Sequence, residues 1–144
     1  MSTVQLSDES NKYFSSFYDE ELKLYELVWH KASEYMEEHE YKALMQADRD
    51  KVLKNYEQLN FILINLTERL DTMSPELQEW SSKNVSVYIF EKYNILKVAV
   101  VNSRDFSTQF SLEQALEEDK ESENITKYFD KAEDAKAWLF NVDK

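Results

Sequence analysis

The chain has 144 residues, 42% of them hydrophobic, and 29 acidic against 17 basic side chains give a net charge of −12; this length suits one domain with its own core. It has no glycine, which excludes a P-loop, a GxGxxG turn and an EF-hand loop, and no cysteine, which excludes thiol catalysis, disulfides, zinc ribbons and iron–sulfur ligation. The acidic excess argues against nucleic acid and anionic membrane surfaces as partners.

Residues 1–11 read as a polar N-terminal tail, with neither a basic nor an apolar targeting region, and residues 12–144 as a single α/β domain. No apolar run approaches the ~20 residues that cross a bilayer, so a cytoplasmic protein without stable membrane association is expected. Tyr13–Tyr18 and Leu22–Trp29 are strand-like runs joined by Asp19-Glu20-Glu21, which predicts a hairpin in which Asp stands in for glycine. The second run puts Leu22, Leu24 and Val28 on one face and Tyr25, Leu27 and Trp29 on the other, as in a strand covered on both sides.

A long helix is predicted over Glu37–Gln58, where Tyr41, Met45, Val52, Tyr56 and Leu59 recur at helical spacing and Leu44 widens the stripe. Asp48 falls in the middle of that stripe. Phe61–Leu66 (FILINL) suits a buried parallel strand. Ser74-Pro75-Glu76 opens a second helix, with a serine N-cap, proline in the first turn and a carboxylate near the positive end. It runs to about Tyr93, where Asn94 would supply a left-handed cap.

Ile95–Val101 (ILKVAVV) is the clearest strand. Ser111-x-x-Gln114 fits a capping box for a helix that runs into the acidic stretch Glu117–Glu123. Asn124–Phe129 predicts a last strand. Asp130-x-x-Glu133 resembles a second box, with Ala132, Ala135, Trp138 and Leu139 as an apolar face behind it. The order β-β-α-β-α-β-α-β-α predicts a mixed sheet that opens with an antiparallel hairpin and carries helices on its faces.

No set of residues assembles into a known chemistry. His39 lies in Glu37-Glu38-His39-Glu40-Tyr41, which lacks the second histidine of HExxH, and with His30 it offers no metal site. Asp48, Arg49 and Asp50 diverge around a helix and make poor joint ligands. There is no G-x-S-x-G, and spacing assigns no carboxylate dyad, so no catalytic residue, cofactor or metal is expected. Asp48 is expected to pair with Arg49, a lysine or a tyrosine at the edge of the core. Lys42, Lys51 and Lys54 are within reach along the helix, and such a pair would depress the pKa of Asp48. Ser74, at a helix N-terminus, is an N-cap at which an added phosphate would be tolerated.

The strings FILIN (Phe61–Asn65), SPELQEW (Ser74–Trp80), LKVAVVNS (Leu96–Ser103) and YFDKAEDAKAWL (Tyr128–Leu139), in this order, carry a resemblance over roughly residues 12–141. The chain resembles the SpoIIAA-like proteins, which are related to the STAS domains of anti-sigma factor antagonists and to the CRAL-TRIO fold. The resemblance implies a mixed sheet flanked by helices and no catalysis. In the antagonists a serine at the start of the helix after a central strand is phosphorylated by a partner kinase; the corresponding position is Ser74, with Thr72 close by. The family's Asp-Ser-Ser-Gly is replaced here by Asp71-Thr72-Met73-Ser74-Pro75. The expected function is a non-catalytic regulatory module that binds a protein partner through Thr67–Ser74 and the following helix start. The alternative is a carrier of a small apolar ligand or lipid, held between the sheet and a C-terminal helix face of Ala135, Trp138 and Leu139.

Overall fold

The computed structural model describes residues 3–117 and 122–140. Six strands form one sheet in strict chain order: β1 (Thr3–Gln5), β2 (Phe14–Asp19), β3 (Leu24–Trp29), β4 (Phe61–Asn65), β5 (Lys97–Val101) and β6 (Thr126–Phe129). The first three are antiparallel and β3 to β6 are parallel, so the predicted mixed α/β architecture is present.

Two details of the N-terminal half differ from expectation. Within the segment read as a polar tail, Thr3–Gln5 pairs with Phe17–Asp19 and adds an edge strand. All three of its residues are exposed, so it carries no buried alternation to signal a strand. The hairpin turn spans residues 20–23, and Leu22 lies exposed in it rather than on a strand face. Lys23, with φ 56°, takes the left-handed conformation, and the Asp19 carboxylate accepts from the Leu22 N–H at 3.0 Å.

Helix α1 (Glu38–Asn55) starts at a reciprocal capping box between Glu37 and Glu40. At its other end the Tyr93 hydroxyl lies within hydrogen-bond distance of the carbonyls of Tyr56 (2.8 Å) and Val52 (3.0 Å), the second of which also accepts from the Tyr56 N–H. After β4, α2 (Pro75–Ser81) begins at Ser74, whose Oγ accepts from the Leu77 N–H at 3.1 Å as predicted. It passes through a π-helical turn at Ser82–Ser86 into α3 (Val87–Lys92). That helix ends on Tyr93 in extended conformation. Lys23 is the one described residue with positive φ, so Asn94 is not the left-handed cap expected of it.

Helix α4 (Phe106–Glu117) starts five residues before the predicted box. Its first turn is held by Asp105, which accepts from the Thr108 N–H at 2.9 Å. Ser111 is buried inside the helix, accepts from the Met73 N–H at 3.2 Å and donates to the Thr108 carbonyl. A Ser-x-x-Gln pattern is compatible with a helix interior once tertiary partners satisfy the serine. Residues 118–121 of the acidic stretch lie outside the described residues. Helix α5 (Ala132–Phe140) follows β6, and Asp130 before it accepts from Asn102 Nδ2 at 3.1 Å.

Crossovers of one hand that step the same way across a sheet place their helices on one face. Accordingly α1, α2–α3 and α4 cover the face carrying Leu27, Trp29, Ile62, Val98 and Val100. Among the described residues, helix α5 alone packs on the other face, against Leu24, Leu63, Ala99 and Val101.

Candidate functional site

The three-helix face does not close completely. A cavity of about 150 Å³ lies between the sheet and the helices, walled by apolar side chains that include Leu27, Ile62, Val98, Ile89, Leu112 and Leu116. The π-helical turn forms part of its wall through Val85 and Ser86. An inserted residue of this kind rotates the following turn and often marks a functional site.

At one end of the cavity sits a buried polar cluster. Asp48 is 4% exposed. Its Oδ1 accepts from Ser16 Oγ at 2.6 Å and its Oδ2 accepts from the Tyr25 hydroxyl. The expected tyrosine partner is therefore present, and the expected lysine is not: Lys51 donates to the Leu6 carbonyl at 2.6 Å, and Lys42 lies over the Trp80 ring at 5.5 Å. The predicted direction of titration is also reversed. Burial raises the pKa of Asp48, and the hydroxyl bonds and the field of Lys51 offset only part of that rise. Burial, with Asp48 beside it, pushes the Tyr25 hydroxyl well above its ordinary value. Hydroxyls hydrogen-bond the carboxylate without supplying the charge that would repay its desolvation.

This has a consequence for stability. A carboxyl whose folded pKa is raised favours folding in its protonated form; that contribution is complete below the unfolded value and is lost as pH rises through the folded value. Asp48→Asn is expected to be more stable than wild type at neutral pH, by ~1 kcal/mol, and the difference should shrink on acidification. Urea melts of both proteins at pH 7 and pH 5 check this. A less stable Asp48→Asn at pH 7 contradicts it.

Two guanidiniums also line the cavity. Arg69, 3% exposed, lies 3.8 Å from the Trp29 ring centroid and 5.6 Å from that of Tyr41. It binds Asp71 through two hydrogen bonds, at 2.6 and 2.9 Å. Arg49 is held by Asp50 at 2.9 Å and by the Asn84 carbonyl, over the Tyr88 ring at 4.7 Å. Compared with protein-family models, curated proteins and solved structures, the chain matches none.

Ser74 and Thr72 come together on a second, more exposed cleft, with Met36, Glu37, Glu38 and Asp71 around them. Both residues are exposed. Tyr41 and Met73 line this cleft and the cavity alike, so the two spaces adjoin. The hydroxyl of Ser74 serves as the N-cap described above, and Ser74→Ala is expected to cost about 1 kcal/mol, with Ser74→Gly costing only a few tenths. Thermal or denaturant melts of the two variants distinguish the cap from an inert surface hydroxyl.

The C-terminal helix places its predicted residues elsewhere. Ala135 and Leu139 are fully buried, and Trp138 packs on Phe129 with ring centroids 5.6 Å apart. The small side chains of Ala99 and Ala135 let α5 sit close to the sheet, and Leu139 fills the space between them. The cavity thus lies on the opposite face from the one expected, and Ala135, Trp138 and Leu139 do not line it. His30 Nε2 and Ser15 Oγ are 2.8 Å apart, and His39 is exposed beside Glu37. Among the described residues no group of three or more His, Cys, Asp or Glu could hold a metal ion, and no helix is long and apolar enough to cross a membrane.

Sequence reading missed Arg69 and the polar role of Tyr25. The Arg69-x-Asp71 spacing was the available signal for the first. The second needed the strand pairing that sets Tyr25 across from Tyr18 and over α1.

Proposed function

We propose that the protein is a non-catalytic binding module that takes a small, mainly apolar molecule in the cavity beneath α1, α2–α3 and α4. One observation carries this reading: a space of about 150 Å³ with mainly apolar walls and a few buried polar side chains, Asp48 and Arg69 among them. Ligand sites have this character, with apolar walls and a few placed polar groups for orientation. A cavity of about 150 Å³ is large enough for a six-carbon ring.

Titration with toluene, followed by methyl-resolved NMR, tests the reading. Shifts are expected at Ile62, Ile89, Val98 and Leu112 and not at Leu63 and Val101, which face α5, or at Leu139 on α5 itself. Ala115→Leu, at the cavity wall, should abolish them. Unchanged spectra at saturating toluene reject the proposal.

The second reading is a regulatory module that docks a protein partner through Thr72, Ser74 and the α2 start, and it includes the kinship with SpoIIAA-like proteins. It is favoured by the exposure of both hydroxyls on a cleft that also presents Met36, Met73 and Leu77. Crosslinking in native lysate with wild type and Ser74→Glu tests it. A partner whose recovery changes with the added charge supports docking, and recovery of none under either condition rejects it.

A further inference from the structure

The charged groups around the cavity are not partnered alike. Arg69 is matched by Asp71 and Arg49 by Asp50, each through ion pairs, whereas Asp48 receives only hydroxyl donors among the described residues. Among the described residues, Asp48 is the one carboxylate lining the cavity, and no cation is bonded to it. That carboxylate is buried, at 4% exposure. Each oxygen of a carboxylate has a second lone pair to offer beyond the one used here. Lys51, whose field reaches Asp48, donates to the Leu6 carbonyl and not to the carboxylate.

The adjoining cleft carries the same sign. Glu37, Glu38 and Asp71 flank Tyr41 and Met73, the two side chains shared with the cavity. A chain with a net charge of −12 attracts cations at long range, and an acidic cleft with apolar walls concentrates them locally. A neutral ligand would bring no cation to Asp48, and an anion would add like charge beside it, with the two guanidiniums already holding their own carboxylates.

We propose that the cavity selects small apolar amines, bound as ammonium ions, with the head group donating to Asp48 and the hydrocarbon part against Leu27, Ile62 and Val98. This rests on the cavity being a ligand site. The ammonium supplies the countercharge that the serine and tyrosine hydroxyls lack, and it is itself desolvated against a fixed carboxylate. A charge-assisted hydrogen bond of this kind is stronger than its neutral counterpart.

Calorimetric titration with cyclohexylamine, cyclohexanol and cyclohexanecarboxylate at pH 7 tests it, since the three share one ring and differ in head group. Cyclohexylamine is expected to bind about tenfold more tightly than cyclohexanol, the advantage of one charged over one neutral hydrogen bond, and the carboxylate is expected to bind most weakly. Asp48→Asn should remove the preference for the amine and leave alcohol binding in place. Tyr25→Phe, which strips one donor from Asp48, should strengthen it and gives an independent reading if Asp48→Asn fails to fold. Equal binding of amine and alcohol, or preference for the carboxylate, overturns the amine proposal and leaves the cavity a ligand site. Binding of none of the three, together with silence toward toluene, overturns both.

Discussion

Arg69→Met is expected to destabilise the protein by about 3–5 kcal/mol, the cost of breaking a buried ion pair and leaving one partner uncompensated. The Arg69 side chain is 4% exposed and that of Asp71 13%, so little water is at hand to take over the role of the guanidinium. The loss is compounded by the aromatic sandwich. Trp29, itself buried between Phe14 and Tyr41, loses the cation on its face. Methionine retains much of the length and apolar contact of arginine, so the effect reports on charge rather than on a void. The double variant Arg69→Met/Asp71→Asn should recover most of the stability, because the orphaned charge is then removed too. Urea denaturation of wild type, single and double variants measures the cycle. A single variant within about 1 kcal/mol of wild type would show that the pair contributes little. Against a typical stability of about 5–15 kcal/mol the predicted loss would leave a marginal fold.

Leu139→Ala is expected to cost about 2–5 kcal/mol. Leu139 is fully buried and joins α5 to the face of the sheet carrying Leu63, Ala99 and Val101. Its neighbours Ala99 and Ala135 have no side-chain length with which to collapse into the gap, which favours the upper part of that range. Ala137, exposed on the same helix, provides the control: Ala137→Ser should change stability by less than about 0.5 kcal/mol. Since α5 and the cavity lie on opposite faces, Leu139→Ala at a temperature where it remains folded should bind toluene as wild type does. Loss of binding in a folded variant would instead return the ligand site to the C-terminal helix.

The parts of the fold legible in the sequence were those whose partners impose a local period. FILIN and KVAVV, buried on both faces between parallel neighbours, are continuous apolar runs, and Ser74-Pro75-Glu76 starts a helix by chemistry confined to one turn. Strand β1 was not legible, because an exposed edge strand is specified by backbone pairing with β2 and leaves no trace in side-chain polarity. The true start of α4 was hidden by a better-looking box at Ser111, a residue whose hydroxyl is satisfied by the distant Met73 amide. Asp48 stands out in the sequence as a charge on an apolar stripe. The identity of its partners depends on β2 and β3 lying across α1, which no spacing along one helix reveals. The cavity is further still from the sequence, being the space left where three helices and a sheet fail to meet.

The strict left-to-right order of the strands bears on how the chain comes to be folded. Every strand from β2 onward pairs with the strand that precedes it in the chain, so no gap must be held open for a later segment. Chains are synthesised from the N-terminus at about 5–20 residues per second, and hairpins close in about 1–10 μs. The sheet can therefore grow strand by strand behind the ribosome, each addition templated by an edge already made. The successive β-α-β steps span short stretches of chain, which keeps the entropic cost of each closure low. Helix α5 follows all six strands in the chain and covers Leu63, Ala99 and Val101 on strands synthesised before it. Until α5 docks that patch faces solvent, and a chain lacking α5 would keep it exposed, the kind of contiguous apolar surface that favours self-association.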